Sequence, residues 1–147
     1  MTENSEASEL FGDLLALARR SWVAEMAQRL EIQGFHDYRR SDAASLRWLQ
    51  HRAVPLGQLA TRLGVTRQGG RKIIDGLIAR GYALAERDGQ DARRQNVKLT
   101  AAGDEYAKAV IDVVHALNEE LNAVFDPYDL VVVKSVLRGV SSIYGSD

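Results

Sequence analysis

The sequence predicts a mainly α-helical protein with one small β-hairpin. Apolar residues recur at spacings of three and four through most of the chain. The period drops to two only between residues 82 and 99. Glycines, or the Asp126-Pro127 step, stand where the helical patterns stop. The 147 residues can bury a real core without staples, because a chain of this size hides roughly two thirds of its unfolded surface.

The first helix spans about Leu10 to Ile32, with Phe11, Leu15, Ala18, Trp22, Met26 and Leu30 in one stripe. Leu14, Leu17 and Val23 widen that stripe beyond a single face. So wide an apolar face needs a large partner, and the simplest is a second copy of the chain. Gly34 ends this helix, and a polar loop follows to Arg40. Ser41 or Asp42 caps a short helix carrying Leu46, Trp48 and Leu49. Pro55 opens another helix, whose inward face is Leu56, Leu59, Ala60 and Leu63. Gly64 closes it.

Thr66 caps the next helix, which runs to Arg80, with Ile74, Leu77 and Ile78 inward and Gly81 as terminator. Two helices joined by Gly64-Val65-Thr66 form a helix-turn-helix. Residues 82–87 and 95–99 read as strands, joined by a charged loop from Asp88 to Arg94. A helix-turn-helix followed at once by a basic hairpin is a winged helix. Thr100 starts a long helix with Tyr106, Val110, Ile111, Val114, Leu117 and Leu121 on its stripe. Asp126 caps the last helix, with Pro127 in its first turn and Leu130, Val133, Leu137, Val140 and Tyr144 as its apolar face.

The net charge of −1 conceals a segregation. Between Arg62 and Lys98 nine basic residues face four acidic ones, so this stretch is +5 and the remainder −6. A basic centre in an acidic frame has the charge pattern of a nucleic-acid footprint, or of a salt-bridged solvated surface. Cysteine is absent, which excludes disulfides, thiolate metal sites, cysteine nucleophiles and thiol redox sensing. His115 and Glu119 have metal-compatible i,i+4 spacing, but His36 and His51 stand apart, so no metal and no cofactor is expected. No catalytic constellation stands out, and an enzyme is not expected. The polar start Met1–Glu9 lacks the pattern of a signal peptide, and no apolar run could span a membrane. A cytoplasmic location is expected.

The segment from Leu56 to Tyr82, the Asp91-Ala-Arg93 wing and the following Leu99-Thr-Ala-Ala-Gly103 resemble the MarR family of winged-helix transcription regulators. The order of elements fits nearly the whole chain, although the specific motifs cover only residues 56–103. The resemblance implies one domain over 1–147. Residues 41–103 would form a winged helix-turn-helix DNA-binding lobe, and residues 10–33 and 104–145 the dimerisation helices. It implies a homodimer on a pseudo-palindromic double-stranded DNA operator, acting as a repressor. It also implies release by a small aromatic or lipophilic effector held between the dimer helices and the lobe. The alternative is a winged-helix dimerisation or protein-interaction module that does not bind DNA.

Within that frame Arg67, Gln68, Arg71 and Lys72 lie near the start of the recognition helix. Arg and Gln read guanine and adenine edges through paired hydrogen bonds. Thr66 and the helix N-terminus suit phosphate. Arg93 at the wing tip suits the minor groove, Arg94 suits phosphate, and Asp91 is expected to orient the Arg93 guanidinium or simply to form the turn. Gly69-Gly70 departs from the family pattern. The pair, with Gly70 counted among the DNA contacts, is expected either to let the backbone approach DNA or to be tolerated flexibility. The wing tip also lacks the family's proline. Trp22, Trp48 and Tyr38 are the aromatic candidates for an effector cavity.

Overall fold

The computed structural model describes residues 9–145, so the acidic start before Glu9 lies outside the described residues. In chain order the elements are α1 (Phe11–Ile32), α2 (Asp42–Leu49), β1 (Val54–Pro55), α3 (Leu56–Leu63), α4 (Arg67–Ala79), β2 (Ala83–Arg87), β3 (Gln95–Leu99), α5 (Ala101–Val124) and α6 (Pro127–Tyr144). The chain forms two compact units that divide within α5, between Val113 and Val114.

In the first unit, α1 stops at a left-handed Gly34, where Phe35 N–H donates to the Leu30 carbonyl. Its expected stripe is buried only at Met26 and Leu30, while Phe11, Leu14, Leu15 and Leu17 remain exposed. Ser41 occupies the N-cap position of α2 but makes no side-chain cap bond. Asp42, one residue on, instead accepts the Arg39 backbone N–H at 3.0 Å.

The expected hairpin is there, but its sheet has a third strand. β1 pairs antiparallel with β3 through Val54↔Val97 and Pro55↔Asn96, giving the order β1-β3-β2. Pro55 therefore ends a strand and precedes α3 rather than lying inside it. Leu59 and Ala60 bury the α3 face. On α4 the buried face is Gly70, Ile74 and Leu77. Ile78 stands at the edge of that face and is 37% exposed, contrary to its expected inward placement.

A polar cluster lies inside this unit. Asp42 is fully buried, and its carboxylate accepts both terminal nitrogens of Arg80 at 2.8 and 2.7 Å and the Tyr106 hydroxyl at 2.7 Å. The Tyr106 ring stacks on Tyr82 at 4.2 Å between centroids. Tyr82 in turn donates its hydroxyl proton to Asp37 at 2.9 Å. Burial, then the Asp37 hydrogen bond, pushes the Tyr82 hydroxyl up to about 12. Burial and then Asp42 raise Tyr106 further still. The hydrogen bond to Asp42 raises Arg80 and holds its charge.

Thr100 directly precedes α5, and its hydroxyl oxygen accepts the Gly103 N–H at 3.0 Å and donates to the Gly81 carbonyl at 2.6 Å. In the second unit Asp126 caps α6 by accepting the Tyr128 N–H at 2.8 Å, with Pro127 in the first turn. No residue of α6 is buried, so Val131, Val132, Val133, Val136 and Leu137 stand exposed. Among the described residues, no helix is long and apolar enough to cross a membrane.

Candidate nucleic-acid interface

The recognition-helix start is fixed by Thr66, whose hydroxyl accepts the Gly69 N–H at 3.0 Å. That bond satisfies one of the four N–H groups that a helix start leaves without partners. Arg67, Gln68, Arg71 and Lys72 are all exposed to solvent. Arg71 Nε lies 3.3 Å from Asp75 Oδ1 one turn on. Both side chains are more than half exposed, and such a pair adds at most about 1 kcal/mol, which leaves Arg71 able to change partners.

The wing is shaped by its own carboxylates. Asp88 Oδ1 accepts the Gln90 N–H and Asp91 Oδ1 accepts the Arg93 N–H, each at 3.0 Å. Asp88 N–H closes the loop on the Arg94 carbonyl at 2.9 Å. Asp91 is thus a turn-former. Of the two roles expected for Asp91, the bond to the Arg93 backbone N–H is the turn-forming one.

Helix and wing enclose an open cleft of about 870 Å³. Its walls are Arg67, Gln68 and Arg71 from α4 and Arg93 and Arg94 from the wing. Pro55, Leu56, Gly57 and Gln58 join them at the start of α3, and Arg87 and Gln95 at the wing root. Guanidinium groups from both elements therefore border one concavity, beside glutamine amides that can read base edges.

No protein-family model matches the chain. An uncharacterized protein of Mycobacterium tuberculosis strain H37Rv is 28% identical over 121 residues, covering 79% of this chain and 85% of its own. Two solved structures align over almost the full length. The PcaV transcriptional regulator of Streptomyces coelicolor, solved with its natural ligand, has a TM-score of 0.77 at 19% identity, over 97% of this chain and 98% of its own. The S. aureus MepR–DNA complex has a TM-score of 0.77 at 17% identity, over 92% and 98%. The chain has the MarR-type winged-helix fold.

Within the MarR-type fold the expected residues separate into three groups. Arg67, Gln68, Arg71, Arg93 and Arg94 come together at the cleft. Lys72 lines a different cleft, of about 570 Å³, with Arg19, Arg39, Arg40 and Arg80. Gly70 is buried, and a Cβ there would lie 2.6 Å from the Ala60 Cβ. The close approach of α3 to α4 is thus a reason for glycine at this position beside the two the sequence suggests. Gly70→Ala should lower folding stability by about 1–3 kcal/mol in chemical denaturation, since overpacking exceeds the gain of about 1 kcal/mol in helix propensity.

Trp48 lies beneath Arg62, with the guanidinium carbon 4.4 Å from the ring centre, and neither it nor Trp22 nor Tyr38 lines either cleft. Arg87, Gln95 and Gln58 are cleft residues that the sequence pattern does not single out. Arg87 and Gln95 are register partners at the loop end of the hairpin, so strand alternation is the available signal.

Proposed function

We propose that this chain is a MarR-type, sequence-specific regulator of transcription that binds double-stranded DNA as a homodimer and acts as a repressor. The cleft between α4 and the wing carries the proposal, because Arg67, Gln68, Arg71, Arg93 and Arg94 line one concave surface, and these are side-chain types that contact bases and phosphates. Arg67, Gln68 and Arg71 read base edges, and Thr66 and the first turn of α4 meet phosphate. Arg93 enters the minor groove, and Arg94 and Arg87 hold the backbone. Residues 41–103 are the DNA-binding lobe, and the helices within 10–33 and 104–145 form the dimer. The exposed leucines of α1 and valines of α6 support that assignment, because a lone soluble chain seldom exposes so much aliphatic surface on two helices. That a structure sharing this fold is a DNA complex supports the partner. The protein acts where the DNA is, in the cytoplasm.

Release by a small ligand completes the proposal, and the natural-ligand complex of PcaV supports it. The cleft of about 570 Å³ lined by Arg19, Arg39, Arg40, Lys72 and Arg80 suits an organic anion. Small organic carboxylates should therefore lower the affinity of the chain for its DNA.

The test is selection from a pool of random duplexes with the purified full chain. The expected product is a two-fold-related sequence with half-sites about one helical turn apart. Enrichment of no sequence would leave the interaction-module alternative. Sedimentation at micromolar concentration should give a dimer, and a monomer would remove the basis for paired half-sites.

A further inference from the structure

We propose that Asp42 is a positioning residue for DNA recognition, holding the recognition helix and the wing in register through Arg80. The inference rests on the DNA-binding reading above. Arg80 is the C-cap residue of α4 and stands three positions before β2, so it belongs to the junction of the two reading elements. Its donors are engaged on several sides. Its two terminal nitrogens meet Asp42, one of them also meets the Asp37 carbonyl at 3.0 Å, and its Nε meets the Gly76 carbonyl at 3.2 Å. Asp42 stands at the first turn of α2 and is itself held by the Arg39 N–H and by Tyr106 of α5. One buried carboxylate thus ties the end of α4 to α2 and α5.

The lever is long. Helix α4 has 13 residues, so it extends roughly 20 Å from Arg80 toward Arg67. A tilt of about 5° at the anchored end would displace the far end by more than about 1 Å, whereas productive geometry tolerates about 0.5 Å. Bidentate base contacts would be lost under that displacement, while phosphate contacts, which need charge more than angle, would persist. Loosening Asp42 should therefore reduce discrimination between sequences far more than it reduces binding.

The experiment measures affinity for the selected duplex and for a scrambled duplex, with wild type, Asp42→Asn, Tyr106→Phe and the double variant Asp42→Asn/Arg80→Met. The ratio of the two affinities does not depend on the fraction of folded protein, so partial unfolding cannot mimic the effect. Asp42→Asn should lower the ratio about tenfold or more, with affinity for the scrambled duplex within about twofold of wild type. Tyr106→Phe should lower the ratio less. The double variant should regain thermal stability relative to Asp42→Asn, because the stranded guanidinium is gone, but should not regain the ratio. A ratio unchanged in Asp42→Asn, or restored with stability in the double variant, would overturn the proposal while leaving DNA binding intact. A wild-type chain with no sequence preference would overturn both.

Discussion

Replacing Gly103 by alanine should destabilise the fold by about 1–3 kcal/mol or more, although alanine is the better helix former by about 1 kcal/mol. Gly103 is buried in the first turn of α5, and a Cβ there would overlap the Tyr82 carbonyl and lie 3.2 Å from the Leu99 Cβ. The carbonyl cannot move away easily. It accepts the Thr100 N–H at 3.0 Å, the Tyr82 N–H donates to Leu77 at 2.9 Å, and the Tyr82 ring is stacked on Tyr106. The new methyl group would meet backbone, and the helix propensity gain is the smaller effect. Gly57 supplies the control. It lies in α3, and a Cβ at that position would have nothing within 4 Å, so Gly57→Ala should be neutral or slightly stabilising. Chemical denaturation of both variants checks the prediction, and equal stability would show that α5 does not need its close approach to the Tyr82 backbone.

The second large effect concerns the division of labour at the interface. Arg71→Ala should cost about 1–3 kcal/mol per half-site on the selected duplex and relax the preference at one base position. Arg93→Ala should weaken selected and random duplexes more evenly, because minor-groove shape and charge carry less sequence information. It should also reduce the salt slope of binding by about 0.9 for each phosphate it neutralises, or about twice that per dimer. Asp91→Ala should be milder than Arg93→Ala. It loses a turn-forming bond to the Arg93 backbone and leaves the guanidinium in place. Affinities across a salt series measure all three. Loss of specificity in Arg93→Ala with none in Arg71→Ala would reverse the two roles.

The helices are legible in the sequence because their apolar patterns are long and their caps are local. Thr66 and Asp126 each bond a backbone N–H within three residues, so the signal and its partner lie in one window. The wing is legible from the change of period. Strand β1 is not, because two residues carry no period and one of them is proline. Ile78 falls on the wrong side because a spacing of four from Ile74 places it one step beyond the face that Gly70 and Leu77 share.

The candidate site divides in the same way. Arg67, Gln68 and Arg71 are neighbours on one helix, and their convergence with Arg93 and Arg94 follows from the hairpin. Asp42 gives no such signal. An aspartate at a helix start reads as a cap, and its actual partners are Arg80 and Tyr106, 38 and 64 residues away. The packing role of Gly70 is hidden for the same reason, since the atom a Cβ there would meet belongs to Ala60 in the preceding helix.

The most direct test of helix and wing as one DNA surface is amide hydrogen exchange of the full chain with and without the selected duplex. The first turn of α4, Arg67 to Gly70, and the wing from Asp91 to Gln95 should slow together, and to the same extent as the duplex is titrated. Protection of neither segment, or of α6 alone, would contradict the assignment.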